Sequence, residues 1–435
     1  MTPRLSAVVG RLAVVNILTA ATGFLTGPLL ARALGPQGRG DLAAILVPLG
    51  LAPVLLSLAL PYYANRETAR GRPVNEVLGS VGAVMLVLGL IGAAFAVPAA
   101  TALAEGRETV RVCLIVAFLG LPVWMLGILL MSCLQGLERW NRWLVARTIA
   151  FGVPFAAIVV LFAVGRLTVA TAAAATMVAG VLVIAPAASL LAERGRPVFD
   201  AAVAREGIVM GLKTWLGGLA YTANVRLDQL VMITAVSSRE LGLYAVAASL
   251  AGASTAFTSA VTPPLLTRTA AGQTILPQTL RITLLTTTAI SIAIAAVTPI
   301  LLRVLFGPEF GAATLMTFIL LAAAIPLAGG AVIGAALQGD GAPAVPSLAE
   351  GLALVITVGG LWLTLGPLGA VGAAIVSLVA YSASFVFQLV AARRRWPASL
   401  RQYLVPSRED LQWAWELSGR VRRRSARFKR RQPSA

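Results

Sequence analysis

Apolar residues run along this chain in blocks of twenty or more. Short polar stretches rich in Gly, Pro and charge separate them, such as Gly35-Pro36-Gln37-Gly38-Arg39-Gly40-Asp41. A membrane-crossing helix needs about 20 mostly apolar residues. On that rule the pattern predicts twelve spans: 8–33, 42–64, 77–100, 111–135, 144–164, 168–192, 208–236, 241–267, 280–305, 312–337, 345–365 and 368–391. The first could pass for a secretory leader ending at Ala31-Arg32-Ala33. Its apolar run, Leu12 to Ala31, is too long for one and is read as a span. The expected fold class is an all-α polytopic membrane protein with about twelve transmembrane helices.

The two halves echo each other at an offset near 202. Gly40-Asp41-Leu42-Ala43 falls on Gly242-Leu243-Tyr244-Ala245, and Pro61 falls on Pro263. Pro122 with Leu134-Gln135-Gly136 matches Pro326 with Leu337-Gln338-Gly339. The expected domains are therefore a six-helix bundle over 1–200, a second over 201–392, and a polar tail over 393–435. An even number of spans per unit inserts both copies the same way, which relates them by an axis along the membrane normal.

Composition narrows the chemistry. Of 435 residues 58% are apolar and 12% charged, with a mean hydropathy of +0.87; soluble domains carry about 25% charged residues. There is no histidine, which excludes His-based catalysis and His metal ligation. Cys113 and Cys133 lie in one apolar segment, about 30 Å apart on a helix and too far for a disulfide. Gly211-Leu212-Lys213-Thr214 breaks the phosphate-binding Walker pattern at Leu212. The outer loops offer only scattered acids, Glu105, Glu108, Glu240 and Glu309, with no paired-carboxylate or nucleophile arrangement. No catalytic residue, metal site or cofactor is expected. The chain is read as a non-enzyme, and transport is the activity that remains.

Orientation follows from Lys and Arg, which favour cytoplasmic loops. With the N-terminus inside, 26 fall on the cytoplasmic side, 13 of them in the tail, against 7 opposite (Arg32, Arg39, Arg107, Arg111, Arg166, Arg239 and Arg303). Both termini are expected in the cytoplasm.

Arg226 and Asp228 lie near the middle of the seventh span. A charge at that depth costs about 2.5–3.5 kcal/mol on insertion scales, so it faces a cavity or a partner. Two residues apart on a helix they point about 200° apart and do not easily pair. One faces the lumen, the other a neighbouring helix. Asp228 shares a stripe with Tyr221 and Asn224. Span 1 carries Asn16, Thr19, Gly23 and Thr26 on one face, and span 8 carries Gly252, Thr255, Ser259 and Thr262. Such stripes suit a cavity wall or a tight helix crossing. Ser377, Tyr381, Ser384 and Gln388 on span 12 read as packing. Asp340 and Glu350 read as interfacial charges that could also bind a cation.

The tail holds 13 basic and 3 acidic residues, interleaved with Trp396, Tyr403, Trp413 and Trp415. That mixture next to a span suits anionic inner-leaflet lipid rather than nucleic acid; the alternative is a disordered topology anchor.

The ordered set of motifs carries a resemblance. It comprises Leu34-Gly35-Pro36-x-Gly38-x-Gly40, Arg226-Leu227-Asp228-Gln229-Leu230 and Glu240-Leu241-Gly242-Leu243-Tyr244-Ala245. Leu305-Phe306-Gly307-Pro308-Glu309-Phe310 and Leu368-Gly369-Ala370-x-Gly372-Ala373-Ala374 complete it. Over 1–392 the chain resembles the multidrug/oligosaccharidyl-lipid/polysaccharide exporter superfamily, in particular the bacterial polysaccharide (O-antigen type) flippases. The resemblance implies two bundles around a cleft lined by spans 1, 2, 7 and 8, in the bacterial plasma membrane. It implies alternating access that turns an undecaprenyl-diphosphate-linked oligosaccharide from the inner to the outer leaflet, with polysaccharide assembly proteins as partners. Arginine suits such a diphosphate because its planar fork matches phosphate oxygens. Arg226 is the mid-membrane candidate, and Arg11 and Lys213 would meet the headgroup on entry. Asn16, Thr19, Thr26, Asn224, Thr255 and Ser259 would line the path. Asp228 would be structural or couple to H⁺ or Na⁺. Two other readings stand beside this one: an ion-coupled multidrug antiporter of the same superfamily, and a non-transporting scaffold for envelope assembly.

Overall fold

The computed structural model of the protein describes residues 3–186, 188, 190, 195–273 and 275–405. Within them, the side chains of 3–14, 16, 17, 20, 21, 214, 216–218, 220, 221, 223 and 267 fall outside the description. Among the described residues every regular element is helical. In chain order these are α1 (Pro3–Leu56), α2 (Leu60–Ala69), α3 (Val74–Ala94), α4 (Ala96–Ala104), α5 (Glu108–Leu119), α6 (Leu121–Gly136), α7 (Trp140–Ala163) and α8 (Val169–Leu182). Then come α9 (Ala201–Ala235), α10 (Ser238–Ser254), α11 (Ala256–Ala270) and α12 (Leu276–Leu301). A π-helical turn Leu302–Phe306 and a 3-10 turn Pro308–Ala313 follow, then α13 (Thr314–Gly339), α14 (Ala344–Arg395) and the short α15 (Leu400–Leu404).

By length and apolar composition seven helices among the described residues can cross a membrane, or nine when each of two bent pairs counts as one span. The protein is a multi-pass, all-helical membrane protein. Two of the long helices each hold two of the apolar segments read from the sequence, because α1 leaves helical geometry at Gly35 (φ 64) and α14 at Gly369 (φ 51). A residue without Cβ takes positive φ at little steric cost, so the chain turns there within a residue or two. Large apolar side chains stand outward, Trp362 at 85% and Val355 at 70% exposure, as a lipid-facing surface requires.

Several spans are less regular than periodicity predicts. The segment 42–64 is interrupted after Leu56, where Leu58 (φ 48) and Ala59 (φ 53) adopt left-handed geometry before α2 begins. A methyl at Gly211 of α9 would lie 2.3 Å from the Leu58 carbonyl oxygen, so close helix approach fits this bend. The segment 77–100 breaks at Phe95, between α3 and α4. α5 and α6 meet at 51°, next to Pro122, which has no amide to continue the ladder. α10 and α11 meet at 47° around Thr255, so Gly252, Thr255, Ser259 and Thr262 do not share the face of one straight helix.

The chain divides into two compact units. The first holds Met1–Leu250, Val297–Leu320 and Leu354–Ser377; the second holds Ala251–Ala296, Leu321–Ala353 and Leu378–Ala435. In the first, Leu60, Tyr63, Val81, Met85, Met125, Leu129 and Cys133 form a buried cluster. In the second, Leu265, Leu280, Ile333, Leu389 and Tyr403 do the same. Cys113 and Cys133 are free thiols.

Within the first unit two glycines make a reciprocal close contact between α1 and α10. A methyl at Gly40 would lie 1.7 Å from the carbonyl oxygen of Ser238; one at Gly242 would lie 1.8 Å from that of Pro36. Residues 36 and 238, and 40 and 242, are the pairs that an offset of 202 equates. Each glycine thus meets the counterpart of the other's partner, as a local two-fold contact demands. Gly242→Ala should therefore overpack this contact by about 1–3 kcal/mol and lower the thermal midpoint of the purified protein. Gly23→Ala, where a methyl meets nothing within 4 Å, should leave the midpoint unchanged or raise it. Equal midpoints for the two variants in a fluorescence melting assay would contradict the close contact.

Candidate functional site

Asp228 is buried, 4% exposed, on α9. Its Oδ2 accepts hydrogen bonds from the hydroxyl of Tyr244 on α10 and, at 3.4 Å, from Ser377 on α14. The two hydroxyls lie 3.3 Å apart, and Oδ1 accepts the Gln229 amide at 2.7 Å. Tyr244 and Ser377 are themselves buried, as are Asn224 and Gln229. A carboxylate taken from water requires such partners, and here neutral donors from three helices supply them. Arg226, two residues earlier, stands on the exposed side of α9. The 200° separation of the two side chains thus has a definite sense: the acid turns into the helix packing and the guanidinium turns away from it.

The remaining path residues are less concentrated. Lys213 is exposed on α9 and Asn224 is buried on the same helix. Thr19 and Thr26 lie on α1, where their hydroxyls donate to carbonyls one turn back, at Val15 (2.8 Å) and Thr22 (2.9 Å). Thr255 donates to the Gly252 carbonyl at 2.9 Å within the bend, and Ser259 is exposed on α11. The side chains of Arg11, Asn16 and Tyr221 lie outside the described residues, as does the tail beyond Val405. What the structure joins around Asp228 is therefore Tyr244 and Ser377. Sequence reading had placed the first only in a motif and the second on a packing face.

A second polar junction forms where α1 turns at Gly35. Arg107 Nη1 donates to Asp41 Oδ1 at 3.2 Å and to Ser238 Oγ at 2.8 Å, and Ser238 Oγ donates to the same Asp41 oxygen at 2.8 Å. Arg107 Nη2 also reaches the Ile233 carbonyl at 3.3 Å. Nearby on the chain, Arg32 Nε donates to the Leu305 carbonyl at 2.9 Å at the end of the π-helical turn. Its cation meets the carbonyl end of a helix, where positive charge is favoured. Sequence reading counted Arg32 and Arg107 only as loop charges. The signal for more was Asp41, an acid in the loop that carries the repeat motif.

A third network ties α2 to α9. Buried Glu67 forms an ion pair with Arg72, 3.1 Å from its Nε, Arg72 Nη2 donates to Glu206 at 3.0 Å, and the Tyr63 hydroxyl donates to the same Glu206 oxygen at 3.1 Å. Burial opposes the Arg72 charge, but Tyr63, Glu206 and Glu67 outweigh it and hold its pKa above the ordinary arginine value. No cluster of acids, Cys or His able to hold a metal occurs among the described residues.

The sequence matches the polysaccharide biosynthesis protein family over residues 7–270. No curated protein matches it. The fold is similar to that of a lipid II flippase, MurJ, in an inward closed conformation: TM-score 0.71 at 12% identity, over 88% of this chain and 87% of that one. An inward-facing multidrug-resistance transporter of the MATE family and MOP superfamily gives 0.67 at 18% identity, over 88% and 98%. The MATE multidrug transporter DinF-BH gives 0.63 at 15% identity, over 94% and 98%. At these identities the likeness is one of fold.

The buried bond at Asp228 is open to measurement. Tyr244→Phe should lower unfolding stability by about 1–3 kcal/mol, since it strands a buried acceptor. In an Asp228→Ala background the same change should have little further effect. Strictly additive losses in denaturant or thermal unfolding would show that the two side chains are not coupled.

Proposed function

The chain belongs to the polysaccharide biosynthesis protein family, and on that premise we propose that it is a flippase. It carries an undecaprenyl-diphosphate-linked oligosaccharide from the inner to the outer leaflet of the bacterial plasma membrane by alternating access. Twelve spans in two six-span bundles, 1–200 and 201–392, with both termini in the cytoplasm, complete the reading.

The observation that carries it is the division of labour on α9. Asp228 is satisfied by Tyr244, Ser377 and the Gln229 amide, which leaves the outward-turned Arg226 to compensate a cargo charge. A diphosphate moving through a low-dielectric passage needs a cation on its path, and a guanidinium offers a fork matched to its oxygens. Lys213, exposed nearer the start of the same helix, and Arg11 serve the headgroup on entry. The side chains of Thr19, Thr26, Thr255, Ser259 and Asn16 line the sugar path, while Asn224, buried on the side of α9 that carries Asp228, supports the packing.

An ion-coupled drug antiporter is the second reading, favoured by the fold likeness to multidrug transporters. It needs an embedded carboxylate open to an ion, and Asp228 instead accepts bonds from three protein donors. Asp228 is accordingly assigned a structural role in the flippase reading.

Two experiments test this. In a flippase-deficient strain, Arg226→Gln should abolish complementation at an unchanged level in the membrane, and Arg226→Lys should retain part, since it keeps the charge and loses the fork. Full complementation by the Gln variant would remove Arg226 from the mechanism. Drug resistance conferred by the native protein would shift the assignment to the antiporter. For topology, the asymmetry of 26 to 7 basic residues predicts that a reporter fused at Gly106 reads as periplasmic and one at Gly195 as cytoplasmic. Both on the same side would overturn the orientation.

A further inference from the structure

The start of the polar tail is folded onto the second unit. Tyr403 is fully buried among Leu265, Leu280, Val332 and Leu389, with Trp396 and Ala398 packed beside it. Its hydroxyl donates to the Trp396 carbonyl at 2.8 Å. The intervening turn is held by a capping box, in which Ser399 Oγ accepts from the Gln402 amide at 3.2 Å and the Gln402 side chain accepts from the Ser399 amide at 2.9 Å. Arg281 donates to the Gln402 carbonyl and Arg395 pairs with Asp340, so two of the cations here are engaged in holding the turn.

Arg393 and Arg394 are not engaged in that way. They line a cleft of about 550 Å³ together with Val390, Pro397, Ala398 and Ser399. Neither forms an ion pair among the described residues. Arg393 Nε donates to the Ala398 carbonyl at 3.3 Å, which anchors its guanidinium against the turn. The lining of the cleft thus combines two guanidiniums and a hydroxyl with the apolar side chains of Val390, Pro397 and Ala398. The cleft sits at the C-terminal end of α14, the last long helix. Paired arginines recognise phosphate through charge and through their forks.

We propose that this cleft is a discrete binding site for an anionic glycerophospholipid of the surrounding bilayer. The phosphate would lie on Arg393 and Arg394, and the glycerol and first methylenes on Val390 and Pro397. The site differs from the diffuse attraction of the more distal basic residues, because the buried Tyr403 and the capped turn fix its shape. It is independent of which cargo the protein carries.

The test uses the full-length protein in neutral detergent with phosphatidylglycerol or phosphatidylcholine as the probe, read by native mass spectrometry. Phosphatidylglycerol should be retained in preference to phosphatidylcholine. The pair Arg393→Gln and Arg394→Gln should weaken that retention on the order of tenfold or more, from the loss of two surface cations. Arg393→Lys with Arg394→Lys should keep most of it. Arg422→Gln, Arg423→Gln and Arg424→Gln together should change it little, whereas loss in this distal variant equal to that in the Gln pair would overturn the discrete site. Displacement of the lipid by inorganic phosphate at millimolar levels would instead assign the cleft to a soluble anion. Should the Gln pair fail to fold, photo-activatable phosphatidylglycerol added to the native protein answers the same question. Crosslinks within 390–399 support the site, and crosslinks spread over the chain refute it.

Discussion

The hydrocarbon interior of a bilayer gives a backbone amide or a carboxylate no partner except the protein itself, and this chain is organised around that requirement. The long apolar blocks satisfy it by closing every amide within a helix. At three of the breaks, Gly35, Gly120 beside Pro122, and Thr255, the chain uses glycine or proline, or falls beside a hydroxyl that bonds locally. Asp228, buried on α9, likewise takes its partners from the protein, Tyr244 and Ser377 on two other helices. A side chain that would be a liability in lipid becomes a point at which α9, α10 and α14 are pinned together.

Charge otherwise gathers near the ends of helices, where it ties elements to one another. Arg107, just before α5, joins Asp41 of α1 to Ser238 at the start of α10. Arg72 with Glu67 and Glu206 joins α2 to α9. Exposed pairs are worth little in stability, as at Glu206, whose side chain is 49% exposed; Arg107 and Asp41 are only about a fifth exposed and share Ser238 as a further partner. The Gly40 and Gly242 contact lies in the same region as the first cluster. Backbone passes backbone there at a distance that any side chain would prevent, and the polar side chains adjoin that contact.

Much was legible in the sequence because its signals are local. Block length and apolarity announce membrane helices without reference to any neighbour. Gly, Pro and charge mark the turns. Arg226 and Asp228 stood out as charges in an apolar block, and the two-residue spacing already set them on opposite sides of α9.

What required the tertiary structure is which side was which. No sequence spacing relates Asp228 to Tyr244 sixteen residues on or to Ser377 on the last long helix, so the burial of the acid and the exposure of Arg226 follow only from how those helices pack. The bends at Gly120 and Thr255 redirect faces that a periodic reading projects as straight. Arg107 meets Asp41 and Ser238 only because α1, α10 and the start of α5 converge, and the tail's root became a cleft only once Tyr403 found its buried place. Hydrophobic blocks specify helices through interactions along one segment. Partners, bends and clefts depend on interactions between segments, and those are decided by packing.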